Sequence, residues 1–120
     1  MIKKRSEIEG KVLTNFKDGI GDVTMYHFMT EKEANGAGRL FVKTVIEPGN
    51  SIGNHTHEGD VEAYYILKGK ALVSDNGNEV VLEEGDCNFC PDGQSHSIKN
   101  VGEDTLEYIA IILYTKQKEV

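Results

Sequence analysis

Three of the chain's four histidines, His55, His57 and His96, lie with Glu62 between residues 49 and 100, set among glycines and a proline. Neutral imidazole nitrogen and anionic carboxylate oxygen both donate well to a divalent transition ion. Three imidazoles and one carboxylate are therefore a candidate metal centre. His55 and His57 form an H-x-H pair, and residues two apart on a strand project to one face, so they can hold one ion together. Glu62 follows His57 at an odd spacing, which on a straight strand would turn it to the opposite face. The chain must bend between them, and Gly59 permits a bend. From Glu62 an apolar strand runs to Leu67 and stops at Gly69. His96 follows a second turn, Pro91-Asp92-Gly93. Four donors from separated strand regions would then meet inside a rolled β structure. A carboxylate opening an apolar strand is costly to bury without a partner, and a metal ion removes that cost.

The elements able to position this set are short strands. Lys11 to Phe16 reads as a weak strand and Val23 to Thr30 as a better one, with Val23, Met25, His27 and Met29 on one face. Glu31 to Gly38 is polar and reads as a loop, with a helical turn over Glu31 to Ala34. Arg39 to Glu47 alternates, with Leu40, Val42, Thr44 and Ile46 on one side and Phe41, Lys43, Val45 and Glu47 on the other. Tyr64 to Ser74 and Glu79 to Leu82 flank Asp75-Asn76-Gly77-Asn78. Asn-Gly is a strong hairpin signal because both residues tolerate positive φ. Ser95 to Asn100 and Leu106 to Tyr114 complete the set. Short strands at regular intervals without a helical period predict an all-β barrel or sandwich.

The glycines, the proline and the four candidate ligands resemble the two signature motifs of the cupin superfamily. The first is matched by Gly49, His55, His57, Glu62 and Gly69, and the second by Gly85, Pro91, Gly93, His96 and Asn100. The match spans just under half of the chain and is highly specific. The resemblance implies a double-stranded β-helix, the jelly-roll cupin barrel, with one metal ion held by His55, His57, Glu62 and His96. It implies activity far less sharply, because the family is functionally broad. Dioxygenases, isomerases, lyases and decarboxylases are all candidates.

Length and charge bound the rest. The 120 residues are enough for one domain, spanning 1–120, with an N-terminal strand segment over about 1–20. A net charge of −7 with no Lys or Arg run argues against a nucleic-acid partner. No apolar stretch approaches a membrane span, and Ile109 to Leu113 is the length of a buried strand. The basic start, Met1 to Glu7, has no apolar stretch behind it and is not a secretory signal, so a cytoplasmic location is expected.

Cys87 and Cys90 form a C-x-x-C, but three residues apart on a strand they face opposite sides, so neither a disulfide nor a zinc pair is expected. Cys90 lies on a strand near the metal and is a candidate substrate contact. His27 shares a face with two methionines, which suits a core or interface residue, or alternatively a substrate-contacting base. Glu58 and Asp60 read as solvated rim charges. Tyr64 follows Glu62 at the strand period, so it points into the barrel and lines a pocket or fills the core. No catalytic residue is assigned. The expected cofactor is one divalent transition ion, with Mn, Fe, Ni, Co and Zn all compatible. The expected partner is a small organic molecule. The reading leans to a metal-dependent enzyme over a non-catalytic binding or sensing barrel. A homodimer is also expected, since open sheet edges invite pairing, with Ile8 to Phe16 and the Phe41/Lys43/Val45 face as contact surfaces.

Overall fold

A computed structural model describes residues 1–118. Ten strands form two antiparallel sheets. They are β1 (Gly10–Thr14), β2 (Asp22–His27), β3 (Gly38–Ile46), β4 (Ser51–Thr56), β5 (Asp60–Lys68), β6 (Ala71–Asp75), β7 (Asn78–Leu82), β8 (Cys87–Cys90), β9 (Ser95–Asn100) and β10 (Leu106–Tyr114). The larger sheet runs β1-β2-β3-β10-β5-β8 and the smaller β4-β9-β6-β7. The single α-helical turn, α1 (Glu31–Ala34), is capped by Thr30, whose side chain accepts from the Glu33 amide. Among the described residues no helix is long and apolar enough to cross a membrane.

Alternation along the strands fills the space between the sheets. On β3, Val42, Thr44 and Ile46 are buried, while Phe41, Lys43 and Val45 are only partly covered. On β10, Leu106, Tyr108, Ala110 and Ile112 face inward. Val23, Met25, Ile52, Ile66, Val73 and Ile98 join them from both sheets in one core. Burying each such side chain contributes about 1.5–3 kcal/mol, so this period-two pattern is what drives the sheets together. The Asn76-Gly77 turn closes the β6–β7 hairpin with φ of 49° and 95°, the mirror-image turn that suits the twist of paired strands. Asn100, the last residue of the second motif, is buried and structural. Its amide donates to the carbonyls of Ile46 and Asp104, both at 2.8 Å, and its oxygen accepts from the Gly102 amide at 2.9 Å.

Three expected boundaries move, the run from Tyr64 to Ser74 dividing at Gly69 and Lys70 into β5 and β6. The first strand ends at Thr14, and Phe16–Asp18 forms a tight 3₁₀ turn instead. Asn15, Lys17 and Asp18 all have positive φ there, an uncommon conformation for residues with a Cβ. The second strand ends at His27, so Met29 leaves the predicted face and is exposed. The cause is local: Thr30 becomes the cap of α1, and the backbone turns away to supply it.

Candidate metal centre

The cluster is assembled by strand pairing. His55 on β4 is the register partner of His96 on β9, which brings their rings to 4.7 Å between centroids. The β4–β9 ladder carries an irregularity between Ile52 and His55. A bulge of this kind re-aims the side chains that follow it. Gly53 lies inside it, and a Cβ there would fall 1.9 Å from the Lys17 carbonyl oxygen, so only glycine lets the Phe16–Asp18 turn pack on β4. His57 lies just beyond β4. The chain then reverses through Gly59 at φ 79° and enters β5, where Asp60, Glu62 and Tyr64 share the inner face. The bend anticipated from the His57–Glu62 spacing is therefore present.

Four donor atoms converge. Glu62 Oε1 lies 2.8 Å from His96 Nε2, 3.0 Å from His57 Nε2 and 3.5 Å from His55 Nε2. The Nε2 atoms of His57 and His96 are 3.1 Å apart. His57, Glu62 and His96 are buried and His55 is nearly so. Donors bound at about 2.1 Å to one ion, at right angles, would be about 3.0 Å apart, so the spacing fits a first-row transition metal.

The outward nitrogens decide the tautomers. His55 Nδ1 donates to the Gly53 carbonyl at 2.8 Å, and His57 Nδ1 donates to the Asp60 carboxylate at 2.7 Å. His96 Nδ1 donates to Asn88 Oδ1 at 2.8 Å, and the Asn88 amide in turn donates to Asp75 at 3.4 Å. Each ring therefore carries its proton on Nδ1 and aims the Nε2 lone pair at the centre. Three lone pairs and a carboxylate oxygen then face one another with no hydrogen between them. A proton on one ring relieves one contact and leaves the others, whereas a single cation satisfies all four.

The electrostatics agree with that reading. Burial alone would raise the Glu62 pKa, but contacts to His55, His57 and His96 overcome it and hold the carboxyl far below its usual range. The bond to Glu62 raises the His57 pKa against burial, with Asp60 adding to it, whereas burial lowers that of His96. The site keeps its carboxylate ionised and concentrates negative charge where a cation would sit.

Asp60 is not the rim charge its sequence context suggests, although Glu58 is exposed as expected. The Asp60 side chain is buried between His57 and Arg39, whose Nε donates to it at 2.9 Å. Strand parity explains this: Asp60 precedes Glu62 by two and inherits its inward face. We expect Asp60→Asn to weaken metal affinity about 10–100-fold while the fold stays intact. Competition with a chromophoric chelator measures this, and unchanged affinity would mean that Asp60 does not orient His57.

Beside the cluster lies a cavity of about 60 Å³, walled by Met25, Leu40, Ile52, Ala110 and Ile112 and closed at its polar end by His55, His57 and Glu62. Space for a single water needs about 10–15 Å³ on this measure, so the cavity suits a ligand of a few non-hydrogen atoms. Tyr64 is both wall and core. It is buried, stacks on His96 with ring centroids 4.5 Å apart and planes 7° apart, and meets Tyr108 edge to face at 4.9 Å. Phe16, Lys17 and Arg39 also line it; Lys17 and Arg39 are exposed, and Arg39 is paired with Asp60. Thr44 and Tyr108 complete the wall. Nothing in the local sequence of Lys17, Arg39, Thr44 or Tyr108 marked them for this role, whereas Asp60 was accessible from parity.

His27 and Cys90 do not line this cavity. His27 is half-buried at the end of β2, where burial and then Lys11 lower its pKa. Cys90 is the register partner of Glu62 but is buried, and burial with nearby carboxylates pushes its thiol to about 11, so it stays protonated. Cys87 is exposed, and both cysteines are free.

Two facing antiparallel sheets with a buried three-histidine, one-glutamate cluster between them define a cupin. The family model for the cupin domain matches residues 42–112, and the chain belongs to that family. The chain is 40% identical over 113 residues to the oxalate-binding protein of Thermotoga maritima, covering 94% of this chain and 93% of that one. It also superposes on a crystal structure of a predicted oxalate decarboxylase from Thermotoga maritima with a TM-score of 0.91 at 39% identity, covering 95% of this chain and 99% of that chain. A polyketide cyclase from Streptomyces resistomycificus shares the fold at a TM-score of 0.75 and 15% identity, over 98% of this chain and 82% of that one.

Proposed function

We propose that this cupin binds a small carboxylate anion of about oxalate's size through one divalent transition ion held by His55, His57, Glu62 and His96. The observation that carries the reading is the small cavity lined by three of the four cluster residues and by Lys17 and Arg39. When bound, the ion supplies a Lewis-acidic centre for carboxylate oxygen. The protein's own residues do the rest. Lys17, and Arg39 beyond its pairing with Asp60, place positive charge beside the cavity of an otherwise acidic molecule. The apolar walls exclude water and strengthen every charge interaction inside. Tyr64 holds the His96 ring in place by stacking. The name of the 40%-identical relative supports the same ligand class.

Binding is favoured over turnover. Beyond the cluster, the buried acid–base groups in the cavity wall are the phenols of Tyr64 and Tyr108, and burial raises both pKa values. Neither exchanges protons readily near neutrality, which leaves the exposed Lys17 as the wall's other acid–base group. The description of the Thermotoga structure makes decarboxylation the second reading. Isothermal titration with oxalate should give one saturable site in metal-loaded protein and none after chelation, and the oxalate should be recovered intact. Equal binding with and without metal would sink the reading, and release of carbon dioxide would favour the second one.

The reading extends to a homodimer. Ile8, Tyr26, Phe28, Lys43 and Val45 line a shallow groove on the outer face of the larger sheet, a surface suited to a second copy. Light scattering that returned the monomer mass of 13.3 kDa at high concentration would remove it.

A further inference from the structure

Two neighbouring hydroxyls in the cavity wall have no partner beyond one another. Thr44 Oγ1 and Tyr108 Oη are buried side-chain atoms without a further hydrogen bond, and no others of this kind occur among the described residues. Both residues are 0% exposed. The lowering effect of Thr44 on the Tyr108 phenol makes the two hydroxyls partners of one another at most, so one donor proton of the pair is still left without an acceptor in a buried wall, and that calls for a cause. They are not scattered. Thr44 on β3 and Tyr108 on β10 are direct register partners, and both line the cavity. These two strands contribute none of the cluster residues, so the hydroxyls form a second polar patch separate from the donor set. Among the other lining residues, Met25, Ile52 and Ala110 offer no side-chain acceptor. Burial raises the Tyr108 pKa, so the phenol keeps its proton and stays a donor.

We infer that Thr44 and Tyr108 form an anchor for the second polar end of the ligand, donating hydrogen bonds to carboxylate oxygens that do not face the metal cluster. Building on the carboxylate reading above, this narrows the ligand to a compact dicarboxylate. A monocarboxylate would leave the spare donor unserved, and a cavity of about 60 Å³ favours a short diacid over a longer one. Selectivity would then reside in β3 and β10, and metal affinity in β4, β5 and β9.

The test uses Thr44→Val, Tyr108→Phe and the double variant, with oxalate and acetate as probes. Each substitution removes a hydroxyl and nearly preserves shape. Oxalate binding to the metal-loaded single variants should weaken about tenfold or more, as expected for losing a hydrogen bond to a charged group. Acetate binding should change less than about twofold by the same reasoning. Metal content should equal the parent's. Without metal or ligand, the thermal midpoint of the double variant should hold or rise, because an unserved donor has left the interior. An unchanged oxalate affinity in the double variant would overturn the anchor and leave the carboxylate reading intact. So would a midpoint lowered by several degrees, which would mean that the hydroxyls are satisfied within the folded protein. If the metal-loaded parent bound no oxalate, the carboxylate reading itself would fall, and the anchor with it.

Discussion

His57→Ala and His96→Ala should each yield purified protein nearly free of transition metal. Removing one imidazole takes away a donor and leaves the Glu62 carboxylate buried with fewer partners. Outer partners alone are worth about 10–100-fold in affinity, so loss of a ligand should exceed roughly 100-fold. Elemental analysis per mole of protein reads this directly. Glu62→Gln should lower affinity too, because the amide carries no charge. Metal content should also fall as the solution is acidified. The His57 pKa is raised by its bond to Glu62, so protons begin to compete for this ring at higher pH than for an ordinary histidine. Metal content that survived either histidine substitution would mean that the ion sits elsewhere.

Tyr64→Ala should cost about 3–5 kcal/mol of stability, the range for deleting a buried aromatic side chain. For a chain of this length that is a fall of about 10–20 °C in thermal midpoint. Sequence parity placed Tyr64 on the pocket wall, where truncation should spare the metal. The stack on His96 changes that expectation, because the ring that fixes one ligand would lose its support. Metal affinity should therefore drop as well, though by less than in His57→Ala. Tyr64→Phe retains the ring and should keep both stability and metal. A Tyr64→Ala protein melting within about 3 °C of the parent would show that the cavity is already filled by something else, or that the ring bears little load.

Much of this protein is written in local order. The alternation of β3 and β10, the Asn76-Gly77 turn, the helical turn over Glu31–Ala34 and the β9 span follow from side-chain period and turn chemistry. The four donors were legible from residue type and spacing, because an H-x-H pair, a glycine bend and a turn-borne histidine are each short-range patterns. Local order also made Cys87 and Cys90 point apart. What it left open is which inward faces oppose each other. Asp60 is buried because β3 brings Arg39 to it, and His96 is oriented because β8 pairs with β5 and delivers Asn88. The Phe16 and Lys17 part of the cavity wall depends on a turn at Phe16–Asp18 held in an unfavourable backbone conformation by packing on Gly53. Thr44 and Tyr108 read as ordinary core positions until the β3–β10 register sets their hydroxyls side by side with no partner beyond one another. Period determines the face a residue presents, but only pairing between strands far apart in the chain decides what that face meets, and the cavity's chemistry depends on that pairing.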